Sequence, residues 1–263
     1  MTVTEARSRG LLGGPRQRWL TAQLMGLRSE TRSARTLTFD VPGWPGHLAG
    51  QHVDVRLTAE DGYSAQRAYS ISEPADGQHV SITVQEVGDG EVSPYLVEGM
   101  ELGDVLEVRG PIGGWFVWSP SPQAPVEQPI LLVAGGSGVV PLMAMVRERA
   151  RLGSTAPFRL VYSVRDPDQV MYAEELDERA AENELLLDLL YTRTAPEGER
   201  RTPGRITATD LAIPENTGWR SGAAPRAYVC GPTGFVEHAI GLLLTLGYTN
   251  KTIRAERFGP TGA

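Results

Sequence analysis

Between Pro120 and Pro129 four of ten residues are proline: Pro120, Pro122, Pro125 and Pro129. Proline fixes φ and donates no backbone hydrogen bond, so a run this dense belongs to neither a helix interior nor a paired strand. It predicts a stiff connector, and the hydrophobic period changes across it. From Trp19 to Arg109 the chain runs in short β-branched stretches, Thr36–Val41, His52–Leu57, Ala68–Ile71, Val80–Val87 and Val105–Val108. Pro42-Gly43, Asp61-Gly62, Asp76-Gly77 and Gly88-Asp89-Gly90 supply turns between them. Alternation in Val53-Asp54-Val55-Arg56-Leu57 and Val80-Ser81-Ile82-Thr83-Val84 predicts antiparallel strands, about six at a spacing that suits a small closed barrel.

Beyond the prolines the pattern predicts alternating strands and helices. Ile130–Val133, Phe158–Val164, Leu185–Tyr191, Arg226–Cys230 and Thr252–Glu256 read as strands, and Val139–Leu152, Met171–Glu184 and Thr233–Leu246 as helices. The continuous apolar run at Ile130–Val133 is what a strand buried on both faces requires, so the second half is expected to be a parallel α/β sheet. The expected organisation is a basic arm at residues 1–17, a β-barrel domain at 18–119, a linker at 120–129 and an α/β domain at 130–263.

Composition removes several function classes. The net charge of -7 opposes nucleic acid, although residues 1–35 carry seven Arg against two Glu. The single cysteine, Cys230, excludes a disulfide framework, a multi-cysteine zinc site and an iron-sulfur cluster within this chain. No apolar stretch approaches the roughly 20 residues of a membrane span, and a monomeric cytoplasmic protein is expected.

Two segments carry chemistry. In Val133-Ala134-Gly135-Gly136-Ser137-Gly138-Val139-Val140-Pro141 a buried strand runs through three glycines into a helix. Backbone N–H groups at such a helix start can approach a pyrophosphate without Cβ interference, and Pro141 fits the first helical turn, where its missing N–H costs nothing. The fingerprint is incomplete, because Pro141 stands where a dinucleotide-binding loop has its third glycine, and the alternative is a turn that serves only helix packing. In Arg67-Ala68-Tyr69-Ser70-Ile71-Ser72 an Arg, an aromatic and a hydroxyl suit a phosphate, a flat ring and a ring heteroatom, or else form an ordinary strand surface.

Together these motifs resemble the ferredoxin-NADP reductase family of flavoproteins, over about Trp19 to Phe258. Arg67-Ala68-Tyr69-Ser70 resembles the flavin-binding R-x-Y-S, and Gly88 to Leu96 the G-x-x-S loop. Gly103-Asp104 and Gly110-Pro111-Ile112-Gly113 resemble the turns that close the barrel. Gly135 to Pro141 is similar to the nucleotide loop, Tyr228-Val229-Cys230-Gly231-Pro232 to the C-G-P segment, and Glu256-Arg257-Phe258-Gly259 to an aromatic-bearing terminus.

The resemblance implies an NAD(P)H-dependent FAD reductase that passes electrons to a separate acceptor, such as a ferredoxin, a haem protein, or an oxygenase or molybdenum component. Direct reduction of a free flavin, ferric chelate or quinone is the alternative, with a non-catalytic flavin-binding subunit behind it. Arg67 would pair with the flavin pyrophosphate, Tyr69 would stand against the isoalloxazine, and Ser70 would bond at flavin N5. Val92, Ser93 and Pro94 would open a helix toward the same pyrophosphate, with Ser93 also fitted to be its N-cap. Cys230, followed by Gly231 and Pro232, would lie near the nicotinamide or be a small buried residue. Phe258 would cover the flavin face or plug the domain interface. Ser163 and Arg165 lean toward the 2′-phosphate of NADPH, and Arg193, Arg200 and Arg201 are candidates for the same side.

Overall fold

The computed structural model describes residues 18–59, 61–88, 90–120, 128–213 and 225–259. The expected arm at 1–17 and most of the linker at 120–129 lie outside the described residues. The first half forms a six-stranded antiparallel sheet from β1 (Leu20–Thr31), β2 (Ala34–Asp40), β3 (His52–Thr58), β4 (Ser64–Ser70), β5 (His79–Gln85) and β6 (Val105–Ile112). Its order is β4-β3-β6-β1-β2-β5. The Ser72 N–H donates to the Ser81 carbonyl at 2.9 Å, and Ile71 bridges Ile82. The two edge strands therefore meet and the sheet closes into a barrel, the arrangement that protects strand edges by pairing them. Leu24, Leu37, Phe39, Val53, Val55, Ile82, Val84 and Val108 fill it.

Three elements differ from the reading of the sequence. β4 begins four residues before the apolar run, because Ser64 to Arg67 take their register from β3 rather than from side-chain burial. The polar face of β5 is buried as well: Ser81 and Thr83 are almost inaccessible, being covered by the second half of the chain. The helix expected to open at Val92, Ser93 and Pro94 does begin at Ser93, but after Pro94 it widens into a π-type turn at Tyr95–Gly99.

The second half is a five-stranded parallel sheet, β7 (Ile130–Gly135), β8 (Phe158–Val164), β9 (Leu186–Tyr191), β10 (Arg226–Pro232) and β11 (Ile253–Phe258), in the order β11-β10-β7-β8-β9. Helices α1 (Val139–Arg151), α2 (Ala173–Ala181), α3 (Ala208–Leu211) and α4 (Thr233–Thr245) accompany it. Leu132, Leu160 and Tyr162 pack to one face of the sheet, and Leu131, Val133 and Val161 to the other. That two-sided burial is why β7 and β8 read as unbroken apolar runs. The four-residue α3 leaves no amphipathic signal; a Thr207/Asp210 capping box fixes it instead.

The two halves share a core. Phe116 and Trp118 at the end of the barrel segment stand edge-on to Tyr228 and Phe158, with ring centroids 5.5 and 5.1 Å apart. The Tyr228 hydroxyl donates to the Val117 carbonyl at 3.0 Å.

Candidate active site

On β4 Gln66, Arg67 and Ala68 are all exposed, whereas alternate residues of its neighbour β3 are buried. Such a bare strip offers a surface for a flat group, with the small Ala68 beside the cation of Arg67. Arg67 Nη2 lies 3.7 Å from Glu91, and Tyr63 donates to the same carboxylate at 2.9 Å. Tyr69 is half-buried, and burial pushes its phenol well above the ordinary range, so it stays neutral. Ser70 closes the strand, buried. Val92 and Ser93 are buried under the loop that follows β5, where Ser93 Oγ accepts the Val87 N–H at 3.0 Å. That hydroxyl ties the loop together; it makes no N-cap bond to the turn at Tyr95.

The Gly135–Pro141 turn is made by close backbone approach. Gly136 has φ +54°, a conformation that glycine enters without strain. A Cβ on Gly138 would sit 2.1 Å from the Cys230 carbonyl oxygen and 2.7 Å from the Gly231 nitrogen. A Cβ on Gly135 would meet the Phe235 ring at 2.6 Å. The loop leads into α1, whose N-cap, Gly138, makes no side-chain capping bond and whose first turn holds no acid. A 13-residue helix with an uncapped start presents N–H groups and the positive end of its dipole, which fits a pyrophosphate. Ser137 is partly exposed in this turn, while Val139 and Pro141 are buried at the helix start.

The seam between the two regions holds the remaining candidates. Ser70 pairs in register with His52 on β3. His52 Nδ1 reaches across to Glu256 Oε1 at 3.4 Å, and Glu256 is in register with Cys230 on β10. One continuous path thus joins the serine of the barrel to the cysteine of the α/β sheet. His52 Nδ1 and Glu256 Oε2 are enclosed without a hydrogen-bond partner, an arrangement suited to a further polar group in the crevice. The motifs give neither residue a part: Glu256 lies within the terminal segment, but only the cross-domain contact gives it a role. Burial, with the Glu256 charge second, pushes the Cys230 thiol well above its usual range, so it remains a thiol and not a thiolate. Phe258 ends β11 opposite Pro232, half-buried against the interdomain core. Gly231, between Cys230 and Pro232, has φ +155° and passes close to the Gly135 carbonyl.

Ser163 is buried at the end of β8 beside Gly135, and Arg165 is exposed in the following turn. The Arg193 N–H donates to the Arg165 carbonyl at 2.9 Å, so the two arginines lie on adjacent segments. Arg201 differs: it grips Asp210 at 2.8 and 2.9 Å and the Arg205 carbonyl at 2.8 Å. Its guanidinium is committed to holding α3, which removes it from the candidates for a 2′-phosphate. Arg200 is exposed nearby.

Residues 22–117 match the family of oxidoreductase FAD-binding domains, and residues 132–240 that of oxidoreductase NAD-binding domains. Among curated proteins, the ferredoxin–NAD(P)(+) reductase component of the naphthalene 1,2-dioxygenase system of Pseudomonas putida is 28% identical over 214 residues, 81% of this chain and 61% of that protein. The NADPH oxidoreductase of Mycobacterium tuberculosis is 29% identical over 260 residues, 94% of this chain and 63% of the relative. The chain spans about three fifths of the length of most of the curated relatives it matches. Among solved structures, the flavohem-like FAD/NAD-binding domain of nitric oxide dioxygenase from Vibrio cholerae superposes with a TM-score of 0.78 at 23% identity, covering 92% of this chain and 99% of that one. That likeness establishes the fold: a flavin-type barrel followed by a nucleotide-type α/β sheet. Among the described residues no helix is long and apolar enough to cross a membrane.

Proposed function

For a chain that belongs to the ferredoxin-NADP reductase family, an oxidoreductase with an FAD-binding and an NAD-binding domain, we propose electron transfer from NAD(P)H through FAD to an acceptor outside these 263 residues. The observation that carries this reading is the seam itself. Ser70 on the flavin-type strand and Cys230 on the nucleotide-type sheet are linked through His52 and Glu256 across 3.4 Å, where the two cofactor domains face each other.

When bound, FAD accepts hydride from the nicotinamide and releases the electrons singly. The protein's part is to bind, align and screen. Arg67, freed from Glu91, pairs with the pyrophosphate of FAD, supported by backbone N–H groups of Val92 and Ser93. Ala68 leaves room for the ring system, Tyr69 lies along it as a neutral phenol, and Ser70 donates to it at the seam. The turn from Gly135 through Ser137 to Pro141 receives the nucleotide pyrophosphate at the start of α1, and Cys230, Gly231 and Pro232 form the floor under the nicotinamide. Cys230 there supplies a small neutral thiol. Phe258 covers the face that the nicotinamide must take, and its partial exposure suits a ring that moves aside. Ser163 and Arg165 select the adenosine end.

A lone cysteine leaves this chain without the thiolates of an iron-sulfur cluster, so the acceptor is a separate centre, of the kind that the oxygenase-associated names of the relatives suggest. The absorption spectrum of the purified protein, before and after anaerobic NADH or NADPH, tests the reading. The expected result is an FAD spectrum that bleaches with nucleotide and returns with ferricyanide. A protein that neither contains nor takes up FAD overturns it.

A further inference from the structure

We infer that Arg147 and Tyr172 are positioning residues: they lock the helix that carries the nucleotide loop onto the end of the flavin-bearing strand, and so set the approach of nicotinamide to flavin. The inference rests on the electron-transfer reading above.

Helix α1 starts at the glycine turn, and Arg147 lies eight residues after Val139, about 12 Å along the helix axis. There the guanidinium is 7% exposed, and it leaves its own domain: Nη1 donates to the Ser72 carbonyl at 2.8 Å and pairs with Glu73 at 3.0 Å. Ser72 is two residues past Ser70. A rigid segment therefore runs from the turn that receives the nucleotide to the strand that faces the flavin. On its other side Arg147 binds Glu175 of α2, which Arg179 also holds at 2.9 Å.

Tyr172 makes the second half of the lock. Arg147 stacks on its ring at 4.6 Å. Its hydroxyl donates to Thr83 Oγ1 on β5 at 2.5 Å, and its N–H to Glu30 Oε2 on β1 at 3.3 Å, while Thr36 donates to the other Glu30 oxygen at 2.6 Å. Strands β1, β2 and β5 and the end of β4 are thereby tied to α1 and α2. Tyr172 does this from φ +60°, ψ +29°, a left-handed conformation that a side chain as large as tyrosine rarely adopts. The surrounding contacts over-determine it.

Stability alone is a poor reason for such a network, since a buried ion pair is often no better than an apolar pair of the same volume. What directional, fully partnered bonds add is a single relative placement. Hydride transfer needs that placement, because a displacement of about 1 Å at the reacting atoms lowers the rate by about a hundredfold.

The test uses the FAD-loaded full chain with Arg147→Met, Arg147→Lys and Tyr172→Phe. For Arg147→Met the expected result is wild-type FAD content, NADP+ and NAD+ dissociation constants within about twofold of wild type, and flavin reduction at saturating nucleotide slowed at least tenfold. Arg147→Lys, which keeps the charge but not the planar fork, recovers part of the rate. Tyr172→Phe slows reduction by a few-fold. Amide hydrogen exchange supplies a readout independent of turnover: it should accelerate at residues 72–73 and 81–85 while β7 and β10 stay protected. Wild-type reduction rates in the Arg147 variants overturn the inference. So does a parallel loss of thermal stability, FAD and nucleotide affinity, which marks a purely structural role. If Arg147→Met fails to fold, Tyr172→Phe decides, and wild-type kinetics in it overturn the inference. A wild-type protein that neither nucleotide reduces refutes the electron-transfer reading instead; unchanged exchange in the variants then overturns the positioning role on its own.

Discussion

β4 and the turn at Gly135–Pro141, the two segments proposed to meet the cofactors, are built in opposite ways. β4 presents side chains along one strand: Arg67 and Ala68 exposed, Tyr69 half-buried and Ser70 buried at its end. The turn works through side chains that are missing, so that one strand end can press against another. A site of the first kind can lose one contact and keep its fold. In a site of the second kind binding and folding share the same atoms, and substitution disturbs both.

The sharpest way to break this contrast is Gly138→Ala. The added methyl falls 2.1 Å from the Cys230 carbonyl oxygen, which belongs to a backbone paired on both sides and cannot step aside. The expected loss is about 3 kcal/mol or more, a fall in melting temperature of roughly 6 to 12 °C for a chain of this size, together with loss of flavin reduction by nucleotide. Gly136→Ala is the internal control. Its φ of +54° is unfavourable for alanine, but the nearest atom, on the Gln85 side chain, is 4.0 Å away, so about 1 kcal/mol is expected. Equal melting curves for the two variants would show that conformation, and not close approach, shapes the turn.

Arg67→Ala probes the opposite kind of site. The charge-assisted contact to a pyrophosphate is worth about 1.5 to 3 kcal/mol, so FAD should bind roughly ten- to a hundredfold more weakly. The melting temperature of the FAD-free protein should hardly move, because the ion pair that is broken is a 3.7 Å contact between half-exposed groups. Flavin titration and a melt of the stripped protein separate the two quantities. A large loss of stability in the stripped protein would erase the distinction between β4 and the glycine turn.

The same contrast explains what can be read from the residues alone. The two sheets are legible because their periods differ: alternation in β3 and β5, and unbroken apolar runs in β7 and β8. The order of the motifs locates both candidate cofactor segments along the chain. What stays hidden is whatever depends on the two halves meeting. Ser81 and Thr83 look like a solvated strand face until Tyr172 arrives on it. Arg147 looks like one more surface arginine in an arginine-rich chain, and Glu256 like a spacer before Phe258. Arg201 misleads for the converse reason, since nothing local tells that Asp210 will take its guanidinium. Contacts made only in the folded chain decide each of these.

The joint between the halves gives a pH prediction. Burial pushes the Glu175 carboxyl upward, but Arg147 and Arg179 outweigh it and hold its pKa below the ordinary value. A group depressed in the folded state stabilises it above the unfolded pKa, and that contribution is lost as pH falls through the folded pKa. The joint should therefore hold at neutral pH and weaken below about pH 4. Melting curves at about pH 7 and about pH 3.5 measure this, and Glu175→Gln should reduce the difference between them. An identical pH dependence in that variant would mean that other carboxylates carry the acid sensitivity.

The smallest effect expected lies at the adenosine end, where two arginines of the same region are set apart by what they already hold. Arg165 is exposed, and none of the described hydrogen bonds or ion pairs involves its side chain. Arg201 spends its guanidinium on Asp210 and the Arg205 carbonyl. A free cation can meet a 2′-phosphate at the surface, where such a contact is worth on the order of 1 kcal/mol, whereas a committed one has to break a fork first. Arg165→Ala should thus lower kcat/KM for NADPH by about five- to tenfold and leave NADH nearly unchanged, because only the 2′-phosphate distinguishes them. Arg201→Ala should lower the melting temperature and affect both nucleotides alike. Steady-state kinetics with each nucleotide on the two variants, beside their melting curves, separate selection from support. A proportional loss with both nucleotides in Arg165→Ala would make that residue structural too, and would move the selection of the nucleotide to Arg193 on the neighbouring segment.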